Sequence, residues 1–154
     1  MRKFLITAAS GLLLSLPFAL GAAGQDMNSP IGTWKTIDDV THKPRSLVEI
    51  KEVNGKLVGQ IVELIREPGE DPDPVCDKCT GTLHNKKVKG MIILWGFQKD
   101  DNVWDGGQIF DPKKGNGKIY KAKLTPINGG KELEVRGYIG FSLFGRTQVW
   151  HREK

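Results

Sequence analysis

Short runs of apolar and β-branched residues alternate with turn residues along most of the chain. No window repeats apolar residues at helical spacing, so the pattern favours strands and predicts no helix longer than about two turns. The pair Asn54-Gly55 suits a tight hairpin, because both positions readily adopt positive φ. The predicted strands are 32–37, 46–52, 57–65, 90–98, 103–110, 118–125, 132–140 and 146–152.

The two ends of this strand series match. Gly32-Thr33-Trp34 begins the first strand and Arg152 ends the last. Short connections make consecutive strands antiparallel neighbours, and a meander removes its exposed edges by pairing its first strand with its last. A guanidinium stacked on an indole would seal that contact, so Trp34 and Arg152 are predicted to close the sheet. The expected fold class is an all-β, antiparallel up-and-down β-barrel of about eight strands, lipocalin-like, with one long cysteine-containing loop.

The first residues have the organisation of an export signal. Arg2 and Lys3 precede an apolar run at 4–20, and small residues follow at 21–24. An uncleaved membrane anchor is the alternative, although the run is short and contains Pro17. The mature chain is therefore expected outside the cytoplasm, without a transmembrane segment. The predicted segments are a signal peptide at 1–23, a disordered lead at 24–30 and a single barrel domain at 31–154.

Charge adds little to this picture. Loss of Arg2 and Lys3 would lower the net charge from +5 to +3, and the other acidic and basic residues are interspersed. No block of five or six like charges marks a nucleic-acid arm, so no nucleic acid is expected as a partner.

Both cysteines lie in a long irregular loop at 66–89, which begins with a proline-rich stretch. In an oxidising compartment, an even cysteine count favours a structural disulfide between Cys76 and Cys79. A redox-active pair is a second interpretation, but Asp77 opposes thiolate formation and no helix is predicted to follow. A metal site with His84 is a third, but only this one histidine is near and there is no second cysteine pair. Free thiols are the fourth.

Tryptophans and strand arginines are the candidates for lining a pocket. The tryptophans could instead fill the core, because an eight-stranded barrel is just wide enough for side chains. A strand arginine facing inward would need an ion pair or an anionic ligand group. Alternation predicts that Trp95 shares one face of its strand with Met91, Ile93 and Phe97. The candidate ligand-lining residues are Trp95, Trp104, Arg136, Phe141, Phe144, Arg146 and Trp150.

Two further features involve glycine and phenylalanine. Gly106-Gly107 inside a strand predicts a bulge or a close backbone approach. The apolar loop 141–145 predicts a plug for one barrel end, with a portal, a membrane-touching patch or a partner-binding patch as the alternative. No catalytic motif is recognisable, and the histidines lie far from any evident nucleophile. No catalytic residue, metal or cofactor is therefore expected.

Gly32-Thr33-Trp34 with a terminal arginine resembles the calycin pattern of lipocalins, fatty-acid-binding proteins and avidin-like barrels. From Ile31 to Arg152, the chain is similar to a family of small exported bacterial proteins catalogued as a domain of unknown function. That resemblance implies a lipocalin-like barrel in the envelope of a Gram-negative bacterium, and it carries over no catalytic residues. The chain departs from lipocalins in lacking an evident C-terminal helix. The matching stretches are 32–34, 75–79, 90–96, 104–107 with 111–112, and 135–150.

Together these features predict a non-enzymatic periplasmic protein that binds a small amphipathic or apolar ligand in its barrel. The alternative is an envelope protein-interaction module that uses the 66–89 loop and the Phe141-Phe144 patch. A thiol oxidoreductase acting through Cys76 and Cys79 is the third hypothesis.

Overall fold

The computed structural model describes residues 24, 26–114 and 117–154. Eight antiparallel strands in sequence order form a closed barrel, which confirms the predicted fold class. The predicted signal peptide at 1–23 lies outside the described residues. The strands are β1 Gly32–Ile37, β2 Pro44–Val53, β3 Lys56–Leu64, β4 Ile92–Asp100, β5 Val103–Phe110, β6 Ile119–Ile127, β7 Glu132–Tyr138 and β8 Gly145–Arg152. Two single-turn 3-10 helices, Gly81–Leu83 and Asn128–Gly130, complete the regular structure of this part of the chain.

Local turn chemistry places the tight hairpins. Asn54 and Gly55 have φ of 52° and 74°, and they join Val53 to Lys56 in register, as predicted. The strands on either side alternate buried residues with residues that are mostly partly exposed, because one face of each strand covers the core.

The seam between β1 and β8 closes the barrel. Trp34 pairs with Arg152 and Lys35 with His151, and the Thr33 N–H donates to the Lys154 carbonyl at 2.8 Å. The Arg152 guanidinium carbon lies 4.1 Å from the centroid of the fully buried Trp34 ring. The two chain ends are therefore joined by backbone pairing and by a cation–π contact.

The segment 26–30 packs against this seam, in contrast to the disordered lead predicted for 24–30. Ser29 and Pro30 are buried, and the Trp34 indole N–H donates to the Pro30 carbonyl at 2.7 Å. A Cβ on Gly130 would lie 1.8 Å from the Met27 carbonyl oxygen, so only glycine leaves room for the lead. The lead depends on these long-range contacts, which local composition does not encode.

The two ends of the barrel differ. At the closed end, the short connections 54–55, 101–102 and 128–131 join neighbouring strands, and the lead contacts Arg152 at the seam. At the open end, four longer connections meet: 38–43, 65–91, 111–118 and 139–144. Functional residues are often on loops that a rigid scaffold positions, so the four longer connections make the open end the candidate location for a site.

Glycine bulges decide which side chains point inward on β4 and β5. Gly107 is buried, and a Cβ on it would lie 2.3 Å from the Phe97 ring, so Phe97 packs directly on the backbone of β5. The β5–β6 register shifts between Trp104 and Gly107, and Gly106 has a φ of 71°. Both interpretations of the glycine pair are therefore correct: Gly106 forms the bulge and Gly107 allows the close approach.

Candidate functional site at the open end

A row of small residues crosses the inner wall toward the open end. Gly107 pairs with Ala122, Ala122 with Gly137, and Gly137 with Arg146. Because Gly107 and Ala122 are buried core positions, this register turns Gly137 and Arg146 inward as well. A Cβ on Gly137 would find only Ile109 and Tyr120 within 4 Å, at 3.4 and 3.8 Å.

Burial divides the interior into two halves. In the half toward the closed end, inward side chains are apolar and packed, with relative exposures of 7% or less. In the half toward the open end, the inward side chains are more polar: those from β5–β8 are partly or largely exposed, whereas Thr36 and Ser46 on β1 and β2 are buried. We call this half the open-end cup. Its lining residues are Thr36, Ser46, Ile109, Tyr120, Gly137, Arg146 and Gln148.

Hydrogen bonds order the floor of the cup. The Thr36 and Ser46 hydroxyls lie 2.8 Å apart and bond to each other across β1 and β2. The Trp150 indole N–H donates to Gln148 Oε1 at 3.1 Å, which fixes the amide above the packed tryptophans. The cup therefore offers hydroxyl and amide groups below an arginine at the rim.

Ion pairs cross the rim. Arg146, about half exposed, forms an ion pair with Asp39 in the 38–43 connection. Neighbouring Asp38 accepts hydrogen bonds from Lys113 Nζ at 2.5 Å and from the Thr41 and Val40 N–H groups at 2.9 and 3.0 Å. The lysine bond, followed by the two backbone bonds, holds the pKa of the Asp38 carboxyl well below its usual range. These pairs tie the 38–43 connection to the 111–118 connection and to β8, with Arg146 as the cation on the inward row.

The 139–144 connection projects apolar side chains beside the cup. Phe141, Leu143 and Phe144 are 78%, 84% and 77% exposed. We call residues 141–144 the apolar tip. Its backbone is fixed because Arg136 Nη2 donates to the Ser142 carbonyl at 2.6 Å and to the Leu143 carbonyl at 3.3 Å. An exposed tip differs from a plug, which would be buried in the barrel end.

The structure separates the sequence-predicted lining residues. Arg146 is in the cup, and Phe141 and Phe144 are beside it. Trp104 and Trp150, at 7% and 2% exposure, belong to the packed half of the interior.

Trp95 and Arg136 lie on the outer face. Trp95 pairs with exposed Gln108 and donates its indole N–H to that amide at 2.7 Å. Arg136 pairs with Thr147, and its Nη1 donates to the Thr147 hydroxyl at 2.8 Å. The predicted face shared by Trp95 and Phe97 is broken because Gly96, with a φ of 86°, interrupts the alternation between them.

Sequence reasoning missed the residues that give the cup its shape. The role of Gly137 could not be predicted because it depends on which face of β7 the residue occupies. The role of Asp39 could not be predicted because its ion-pair partner lies more than one hundred residues away. Alternation from Val135 through Gly137 was the one available signal, since it places the glycine on the core face.

Two clefts lie apart from the cup. One, of about 450 Å³, is at the closed end, where Lys99 Nζ lies 5.4 Å from the Trp104 ring centroid. The other, of about 350 Å³, is on the outer face of β5–β7 and includes Arg136 and the Asp105–Lys123 ion pair at 2.7 Å. Both have walls with charged residues of both signs.

Cys76 and Cys79 form a disulfide within the 65–91 connection. Both are buried, at 2% and 3% exposure, and Cys76 Sγ lies 3.5 Å from the Pro112 carbonyl oxygen. The bond therefore anchors this connection against the one that follows β5. Burial also keeps an attacking thiolate away from the sulfurs, which disfavours exchange chemistry.

Replacing both cysteines with alanine is expected to lower the free energy of unfolding by about 2 kcal/mol, because the loop that the bond closes is very short. Limited proteolysis should then cut within 65–91 while urea unfolding stays cooperative. Loss of all folded structure in the variant would contradict this role, since it would mean that the disulfide holds the barrel itself together.

Within residues 24, 26–114 and 117–154, no cluster of three His, Cys, Asp or Glu side chains is arranged to hold a metal ion. In the same residues, no helix is long and apolar enough to cross a membrane.

The closed eight-stranded meander with its arginine–tryptophan seam defines a lipocalin-like β-barrel protein. The chain belongs to the bacterial family DUF2147, described as an uncharacterized protein conserved in bacteria, which it matches over residues 32–152. It is also similar to the solved structure of HP1028 from Helicobacter pylori, described as belonging to the lipocalin family. That similarity has 23% identity and a TM-score of 0.65, and it covers 80% of this chain and 82% of the other, which shows the fold. No curated protein matches the chain significantly.

Proposed function

We propose that the protein is a non-enzymatic binding protein of the periplasm that holds a small amphipathic molecule in the open-end cup. The location rests on the predicted signal peptide and is tested by fractionation of cells that carry the full chain. The observation that carries the binding proposal is the contrast between the packed, apolar half of the interior and the more polar half above it, whose β5–β8 side is partly exposed. A ligand is therefore held at the mouth and not deep in the barrel.

The chemistry of the cup favours a molecule with an anionic or strongly polar group. Arg146 is the inward cation, and Gln148 and the Thr36–Ser46 pair supply further polar contacts. Asp39 already pairs with Arg146, so an anionic ligand group competes with this carboxylate for the guanidinium. The apolar part of the ligand would lie against Ile109 and Tyr120 or emerge beside the apolar tip.

Filling the cup tests the proposal. Gly137→Leu adds a side chain on the inner wall and is expected to weaken binding of dansyl-undecanoic acid, an anionic amphipathic fluorophore, by at least about tenfold through steric exclusion. Val149→Leu, on the outer face of β8, is the matched control and should bind as the wild type does. Fluorescence titration and circular dichroism measure affinity and folding. Equal affinity of Gly137→Leu and wild type would show that the probe does not bind in the cup.

A charge pair gives a second test that does not depend on filling the cup. Arg146→Gln should reduce affinity for the same probe about fivefold, while Asp39→Asn should raise it, because the carboxylate no longer competes. The uncharged analogue dansyl-undecanol should respond to neither change. Parallel effects of the two variants on the charged probe would contradict recognition by Arg146.

The exposure of the apolar tip favours a second candidate, an envelope protein-interaction module. Val75, in the 66–89 loop, adds a smaller exposed apolar side chain at 43% exposure. Crosslinking from Phe144 or Asp77 in living cells would trap one dominant protein if this role is correct. A diffuse set of products would reject it.

A further inference from the structure

We propose that the apolar tip docks the open end of the barrel onto an anionic lipid surface. Three large side chains in one turn, all more than three-quarters exposed, form a convex apolar projection. Ile139, which follows the end of β7, and Ile119, which begins β6, are 52% and 49% exposed and extend it. Large contiguous apolar surface of this kind marks a contact with a partner or a membrane.

Three backbone carbonyls of the tip accept hydrogen bonds from within the protein, so they do not need water as a partner. The Phe141 carbonyl accepts the Phe144 N–H at 3.1 Å. The next two carbonyls, of Ser142 and Leu143, accept hydrogen bonds from Arg136. In hydrocarbon an unpaired backbone group is costly, whereas in water it is not. Internal pairing of three successive carbonyls in an exposed turn therefore suits insertion at a lipid interface.

Basic residues outnumber acidic ones in the segments next to the tip. The neighbouring segments 111–121 and 138–146 contain five basic residues and one acidic residue. Adding Asp38 and Asp39, which pair with Lys113 and Arg146, still leaves five basic residues against three acidic ones. Lys121 on β6 and Lys114 in the connection before it are both exposed. Apolar side chains within a basic rim are complementary to a bilayer that carries anionic headgroups.

A lipid surface accounts for this combination better than a protein does. A protein partner would need a groove for an exposed tip, and nothing in its recognition requires a rim with a net positive charge. The geometry also turns the mouth of the cup toward the bilayer, although docking does not depend on the cup binding a ligand.

The test is co-sedimentation of the mature chain with vesicles. Wild type should bind vesicles of phosphatidylglycerol and phosphatidylethanolamine and bind pure phosphatidylcholine at least about tenfold more weakly, since the anionic headgroups attract the basic rim. The triple variant F141S/L143S/F144S should lose at least about 30-fold in partitioning to the anionic vesicles, because its apolar insertion is removed. Lys114→Gln with Lys121→Gln should lose roughly tenfold and lower the salt dependence.

Val53→Ser is the matched control, because Val53 is 51% exposed at the closed end and should not affect partitioning. Thermal unfolding checks that each variant folds. Equal partitioning of the triple variant and wild type, or no binding of wild type to either vesicle, would overturn the proposal. Capture of a single protein by a crosslinker at Phe144, without vesicle binding, would assign the tip to a protein instead. Failure of vesicle binding leaves the dansyl-probe result unaffected, so the two proposals are separable.

Discussion

Arg152→Met is expected to lower the free energy of unfolding by about 3 kcal/mol, because several charge-assisted bonds and a cation–π contact are lost together. Arg152 Nε donates to the Gly130 carbonyl at 2.5 Å, Nη1 to Ile31 at 3.0 Å and Nη2 to Ser29 at 2.7 Å. Burial lowers the pKa of this guanidinium, with Asp26 acting in the opposite direction. Methionine keeps much of the apolar part of the arginine side chain, so the loss in free energy of unfolding reports the contribution of the guanidinium group.

Urea unfolding measures this effect, and two variants serve as controls. Arg152→Lys keeps the charge but not the planar fork, so it should recover less than half of the loss. Arg146→Met, on the same strand at the open end, should cost less than about 1 kcal/mol because its ion pair is half exposed. A cost for Arg152→Met no larger than that of Arg146→Met would show that the seam does not depend on the guanidinium.

Gly107→Ala should lower the free energy of unfolding by about 3 kcal/mol, since the new methyl group forces a fully buried ring to move. The methyl carbon would lie 2.3 Å from the Phe97 ring, and Phe97 is 0% exposed. Gly106→Ala is the neighbouring control. Nothing lies within 4 Å of its added carbon, so it should cost about 1 kcal/mol from positive φ alone.

A double-mutant cycle identifies the cause. Phe97→Ala alone should cost about 4 kcal/mol through the cavity it leaves. Adding Gly107→Ala to that background should cost little more, because the methyl group then enters vacated space. Additive losses in urea unfolding would mean that the cost of Gly107→Ala arises elsewhere.

The closure of the sheet could be predicted because each turn between consecutive strands is specified by nearby residues. Asn54-Gly55 specifies a hairpin through its backbone preferences, and short connections order the strands without long-range information. Once the strand order is fixed, pairing the first with the last follows from the cost of open edges. The stacking of Arg152 on Trp34 agrees with that expectation.

Which side chains point into the barrel could be predicted less well, because a single bulge reverses the inward and outward positions of the residues that follow it. Gly96 takes one residue out of the alternation, so Phe97 points inward and Trp95 outward. Whether Arg136 faces inward or outward also depends on strand register. Its hydrogen bond to the apolar tip joins residues whose spacing follows no helix or strand period. The cup depends most of all on such placement, since Gly137 contributes a space and not a side chain.

An NMR titration of isotope-labelled residues 24–154 with dansyl-undecanoic acid tests the binding site most sharply. If the cup binds the probe, amide shifts concentrate at Gly137, Arg146 and Gln148, while the indole N–H signals of Trp34 and Trp104 stay in place. Shifts centred on those two indoles, or none within the cup at saturating probe, would contradict a binding site at the open end of the barrel.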